Sequence, residues 1–358
     1  MGGLWRRHVF VAGEGSPGSG GSGATTSSQI GGGGDGPVAG EGQGAEGGSG
    51  GVPDPGPNVD TSDPQLYETT FKPEEADPAA ALVLGTQPAY LDTRVEPRGL
   101  LVVYLHGAGT PTTCGSSEHS KVLAGFGFHV VDPCYSSAYG VGICGDDIEG
   151  CRLEAFEGVD HHPFIAIDRA NSIEGRVTKM LEHLATAEPA GDWRFFLEGT
   201  GGAPEDVRPR WERIVISGIS HGASTSGVIG LHRSVARVVM LSGPLDSSQA
   251  WLASTSTLTP RDRFYGFTHE DDGQHTGHLA AFTTLSLEGA PVDVDVTAPP
   301  YAGSHRLVTN AETTDGHYRA SFATLPGVEL KRIDDSAHFI FIDQPEVFYS
   351  ELDAFLAR

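Results

Sequence analysis

The stretch Ile214-Val215-Ile216-Ser217-Gly218-Ile219-Ser220-His221-Gly222 constrains this chain more than any other. Its β-branched, uncharged start predicts a buried strand. The strand stops at Ser217-Gly218, and Ala223 to Leu231 is small and apolar enough to begin a helix. Between them lies a G-x-S-x-G with Ser220 at its centre. Strand, sharp turn and helix in this order make a nucleophile elbow, in which strain at the serine pushes its Oγ clear of both elements. Gly218 and Gly222 are expected where any Cβ would collide across the turn. The helix N-terminus behind Ser220 favours negative charge on an attacked group. Context carries this reading, because the chain has 50 glycines and Gly47-Gly48-Ser49-Gly50-Gly51 repeats the string where neither strand nor helix is expected. The plain alternative for Ser220 is an ordinary strand-to-helix turn.

Upstream, Gly99 to Leu105 predicts a second buried strand, running into His106-Gly107-Ala108-Gly109. A strand entering H-G-x-G ahead of a G-x-S-x-G elbow resembles the α/β-hydrolase superfamily. That resemblance covers roughly residues 65–358 and implies a mostly parallel sheet with helices on both faces. It implies an oxyanion hole from the backbone N–H groups of Ala108 and His221, with Gly109 replacing Ala108 if the loop is set one residue later. The His106 side chain is expected to brace the loop and do no chemistry.

The alternation of elements fits this architecture. Tyr67–Phe71 and Ala89–Val95 read as edge strands, Ser120–Gly125 as a short helix, and Phe128–Asp132 as a strand. Asp168 to Thr186 is amphipathic, with Asn171 or Asp168 as N-cap. Ala236–Ser242 and Arg263–Thr268 read as further strands, and the second ends in His269-Glu270-Asp271-Asp272-Gly273. The superfamily places its triad acid after such a strand, which favours Asp272, then Asp271. Asp246, after the preceding strand, is the third candidate. Val328–Ile333 reads as the last strand, and His338 falls on the loop between it and a terminal helix. That is where the superfamily keeps its base. His305 and His317 are rivals that lack this setting.

Two histidine pairs admit a metal reading. His161-His162 reads more simply as a surface turn, and His275-x-x-His278 as a helix start with both rings half exposed. Residues 279–327 are the least patterned, with Leu279–Leu287 helical and Val292–Val296 alternating like an edge strand.

A net charge of −24 argues against nucleic acid or an anionic membrane surface as partner. No apolar run reaches transmembrane length. The four cysteines, Cys114, Cys134, Cys144 and Cys151, are even in number and clustered. They suggest two disulfides in a secreted, cell-surface or periplasmic protein, with Cys144–Cys151 and Cys114–Cys134 preferred among the possible pairings. Reduced thiols are the alternative. Residues 134–165 read as a disulfide-bearing insert over the mouth of the site. Residues 1–62 form a Gly/Ser/Pro-rich segment expected to be a disordered tether, and 63–358 the catalytic domain.

These readings converge on a serine hydrolase cleaving carboxylic esters, small or polymeric, through an acyl-enzyme. Ser220 is the nucleophile, His338 the base and Asp272 the orienting acid, with no cofactor and no metal. A polyester- or cutin-type depolymerase is the narrower version. A non-catalytic binding module on the same fold is the rival.

Overall fold

A computed structural model of the chain describes residues 56–310 except 116, 200–205, 247 and 299. It also describes the paired segments Thr324–Leu325 and Val328–Glu329. Before β1, Asn58 N–H donates to the Asp192 carboxylate, and Asp60 N–H to the Ala190 carbonyl.

The core is one nine-stranded sheet. Its strands are β1 (Leu66–Phe71), β2 (Gln87–Asp92), β3 (Leu101–Leu105), β4 (His129–Val131) and β5 (Ile214–Ile219). They are followed by β6 (Arg237–Leu241), β7 (Phe264–His269), β8 (Val292–Asp293) and β9 (Arg306–Thr309). The spatial order is β1-β2-β4-β3-β5-β6-β7-β9-β8. β2 is antiparallel to both of its neighbours. Every other pairing is parallel. The C-terminal ends of the parallel strands therefore lie along one edge, where open α/β sheets bind ligands.

Period-two alternation sends β3 side chains to two cores. Leu101, Val103 and Leu105 face one, and Val102 and Tyr104 the other. The helices are α1 (Ser117–Gly125), α2 (Ile148–Glu157), α3 (Ile173–Ala187), α4 (His221–His232) and α5 (His275–Thr284). On α3, Ile173, Val177, Met180, Leu181 and Leu184 are fully buried in the first core. Each contributes roughly 1.5–3 kcal/mol by leaving water.

Several expectations are corrected. Ser172 caps α3, accepting from Gly175 N–H at 3.1 Å, while Asp168 caps the single turn Arg169–Asn171 ahead of it. α5 begins at His275, and His278 is buried, with its Nδ1 2.9 Å from Thr268 Oγ1. Arg306–Thr309 is a strand that the sequence reading missed. Within the 134–165 segment, α2 packs against α3 and α4. Both preferred disulfides form, Cys114–Cys134 and Cys144–Cys151. Among the described residues, no helix is long and apolar enough to cross a membrane.

Candidate active site

Ser220 stands between the end of β5 and the first residue of α4 with φ 54° and ψ −112°. A positive φ is strained for a residue with a Cβ, and it persists only where the surroundings enforce it. Here they do. Ser220 N–H donates to Leu241 O on β6 at 2.9 Å, and Ser220 O accepts from Ala223 and Ser224 N–H. The two glycines are required by contact. A Cβ on Gly222 would lie 2.2 Å from Leu105 O, and one on Gly218 would lie 2.6 Å from the Gly222 backbone. At the start of α4 the His221 and Gly222 N–H groups precede the first helical acceptor, and His221 supplies the one directly after Ser220.

Beside the elbow, β3 runs parallel to β5 and delivers His106-Gly107-Ala108-Gly109 to the same edge. Gly109 N–H already donates to Ser137 Oγ at 3.1 Å, so Ala108 is the freer choice of loop donor. The His106 ring is buried against Tyr135, with centroids 4.5 Å apart, and its Nδ1 lies 2.8 Å from Gly107 O.

Two strands further on, β7 delivers the candidate acids. Asp272 is 4% exposed and its Oδ1 accepts from Gln274 N–H at 2.8 Å, whereas Asp271 is exposed on the turn. Asp246 follows β6, and its Oδ2 is engaged by Ser224 Oγ and by Trp251 Nε1. Its carboxylate is thus already committed to the elbow helix. His305 is stacked on Tyr265, with its Nδ1 3.0 Å from Phe264 O, and belongs to the sheet. His317 and His338 lie outside the described residues.

A parallel sheet with one antiparallel strand second from its edge, a strained serine after its central strand and a glycine loop after the neighbouring strand settle the architecture. The chain has the α/β-hydrolase fold. No protein-family model and no curated protein matches the sequence. Among solved structures, one similar chain is the acylaminoacyl peptidase of Pyrococcus horikoshii, at 14% identity over 71% of this chain and 38% of that one, TM-score 0.35. Another is an acylaminoacyl peptidase in complex with a chloromethyl ketone, at 13% identity over 82% and 42%, TM-score 0.35. A third is S-formylglutathione hydrolase from Staphylococcus aureus, at 10% identity over 69% and 90%, TM-score 0.36. The chain thus spans 38% and 42% of the lengths of the two peptidases.

The metal readings find other uses for their residues. His162 and His161 give their N–H groups to the buried Glu154 carboxylate, and His161 Nε2 lies 2.8 Å from Glu157. Among the described residues, no group of three or more His, Cys, Asp or Glu side chains is arranged to hold a metal. A cavity of about 380 Å³ lined by Glu174, Arg208, Trp211 and Arg233 opens near the other end of β5, away from Ser220.

Burial keeps several histidines of this hydrolase fold neutral. It pushes His106 and His129 down to about 4 and His119 to about 3, from 6.5. Unfolding returns these rings to water, where they protonate below about pH 6.5. The unfolded chain therefore binds more protons, and stability is fully present above that pH and falls as pH drops toward 4. His129 alone accounts for about 3 kcal/mol of this loss. Urea titrations from pH 8 to 4 should show the midpoint falling below pH 6.5. A flat midpoint would contradict the buried, neutral state.

Proposed function

We propose that this chain is a serine hydrolase acting on carboxylic esters, with Ser220 as nucleophile, Asp272 as orienting acid and His338 as base. The backbone N–H groups of Ala108 and His221 form its oxyanion hole. The observation that supports this most is the strained Ser220 backbone at the head of α4, beside the glycine loop of β3. A positive φ at a serine between a strand and a helix, held by backbone bonds to β6 and α4, is the conformation a nucleophile elbow requires.

In the proposed reaction the base removes the Ser220 Oγ proton as Oγ attacks the ester carbonyl carbon. The carbonyl oxygen takes up negative charge between the two N–H groups. Collapse breaks the acyl–oxygen bond, and the base returns the proton to the departing alcohol. Water then attacks the acyl-enzyme by the same sequence and releases the acid and free Ser220. Asp272 would hold the imidazole tautomer through this cycle. Its burial and its position after β7 favour it over Asp271 and over the committed Asp246.

One observation favours a second base. β9 lies parallel beside β7 in the sheet, and His317 is the first histidine after β9. His317 therefore follows a sheet strand next to the one carrying the acid, a setting that the sequence alone did not reveal.

Fluorophosphonate labelling followed by peptide mapping tests the reading. A single adduct is expected on Ser220, slowed by ~10² or more in either His338→Ala or His317→Ala, whichever removes the base, and by up to ~10⁴ in Asp272→Asn. A folded protein that takes no label and turns over no p-nitrophenyl ester of any chain length would sink the hydrolase reading in favour of a binding module. Turnover confined to insoluble polyester would select the depolymerase version.

A further inference from the structure

Beneath the proposed oxyanion hole runs a buried polar chain that the catalytic roles above do not use. It starts at Arg152 on α2, a side chain 4% exposed in the flank of the domain. Arg152 Nη1 donates to Tyr139 O at 2.9 Å and lies 2.5 Å from His221 Nε2, while its Nε reaches Ser224 Oγ at 3.2 Å. Ser224 Oγ in turn donates to the Asp246 carboxylate. Asp246 is thus the negative group that faces the guanidinium, one hydroxyl away.

His221 Nε2 lies between the Arg152 guanidinium, which only donates, and Tyr139 O at 3.1 Å, which only accepts. Arg152 is the nearer and itself donates to Tyr139 O, so we assign Nε2 as acceptor and the imidazole proton to Nδ1. Nδ1 lies 3.2 Å from Tyr135 Oη, with Thr225 Oγ1 at 3.4 Å. Tyr135 O–H donates onward to His106 O at 2.7 Å. The chain therefore links the side chain of the residue after Ser220 to a carbonyl two residues before Ala108. These are the two backbone segments whose N–H groups must converge on one oxygen.

We propose that Arg152, His221 and Tyr135 form a positioning relay that fixes the spacing of the Ala108 and His221 N–H groups, and so sets the rate of acyl transfer without touching substrate. The inference rests on the reading of Ser220 as nucleophile. The surrounding segment supports it. Ser137 Oγ bonds Gly107 O and Gly109 O from the same stretch, so residues 135–139 cradle the whole loop. Burial and the nearby Arg152 charge also hold the His221 ring well below its ordinary value, so it stays a neutral link at working pH.

Tyr135→Phe removes one oxygen from a ring that remains packed, and it breaks the relay at its midpoint. Displacing an oxyanion donor costs less than deleting it, so kcat should fall about 10- to 100-fold with KM unchanged. Affinity for a boronic acid, which mimics the tetrahedral anion, should fall by the same factor. Arg152→Lys, which keeps the charge but loses the fork, should fall in kcat alongside it. If Arg152→Lys fails to fold, Tyr135→Phe alone decides. Wild-type kcat and boronate affinity in folded Tyr135→Phe would overturn the relay and leave the nucleophile standing. An inactive wild type matched by Ser220→Ala would remove both readings. Equal losses in kcat/KM through KM alone would mean that the network only shapes the pocket, and would also overturn it.

Discussion

Ser220→Ala should abolish ester turnover, lowering kcat by ~10⁴–10⁶ while leaving the fold intact. The size follows from the role. Removing the attacking oxygen leaves only the oxyanion hole and substrate binding, which retain a small residue of catalysis over water. Folding should be indifferent, because the structural demands of the turn fall on backbone. Ser220 N–H bonds β6 and Ser220 O bonds α4, and Ala keeps both. Alanine also tolerates the positive φ no worse than serine does. The paired measurement is kcat on a short p-nitrophenyl ester and the thermal midpoint of the same preparation. A variant within tenfold of wild-type kcat would remove Ser220 from the reaction (about 1.4 kcal/mol of barrier).

Gly222→Ala should be destructive although it adds a single methyl. The added Cβ would lie 2.2 Å from Leu105 O, on the last residue of the neighbouring strand, and 2.9 Å from His106 O, on the first residue of the loop after it. A flexible side chain could swing aside, but a strand carbonyl in register with Gly218 cannot move without breaking the β3–β5 ladder. The cost is about 3 kcal/mol or more, which corresponds to a fall in Tm of roughly 6–10 °C. Because the elbow and the His106–Gly109 loop would be pushed apart together, labelling at Ser220 should be lost even in the folded fraction. Differential scanning calorimetry combined with fluorophosphonate labelling checks both parts. An unchanged Tm would show that the turn relaxes more easily than its contacts indicate.

The elbow was legible because it combines three independent local signals: a β-branched strand, glycines at fixed offsets, and a helix-forming run. The disulfide pairing was legible because a short loop and a clustered set leave few alternatives. β9 was not. Arg306–Leu307–Val308–Thr309 is short and opens on a charge. The Arg306 guanidinium donates to Leu287 O and Thr283 Oγ1, contacts invisible along the chain. Missing that strand also hid the standing of His317. Ser172 was passed over as the α3 cap because a single 3₁₀ turn precedes it and Asp168 caps that turn instead. Arg152 was the least readable residue. It sits in a Cys- and Gly-rich stretch that looks irregular, and His221 and Ser224, which it bonds, come from a distant part of the chain. A guanidinium in a sequence reads as surface, and only three acceptors converging on it, two of them buried, reveal otherwise.

The sheet order has a consequence for how the molecule is made. β3 is paired on one side by β4, which follows it closely, and on the other by β5, with residues 106–213 lying between the two strands. During synthesis, β3 emerges early and keeps one edge open until β5 has left the ribosome. Both strands of the central seam are fully buried in the folded protein, so the waiting edge is a template for pairing with a neighbouring chain. Recombinant yield of this protein should therefore be governed by how many half-made chains meet one another. Slow, dilute synthesis should raise it more than any stabilising change to the finished fold.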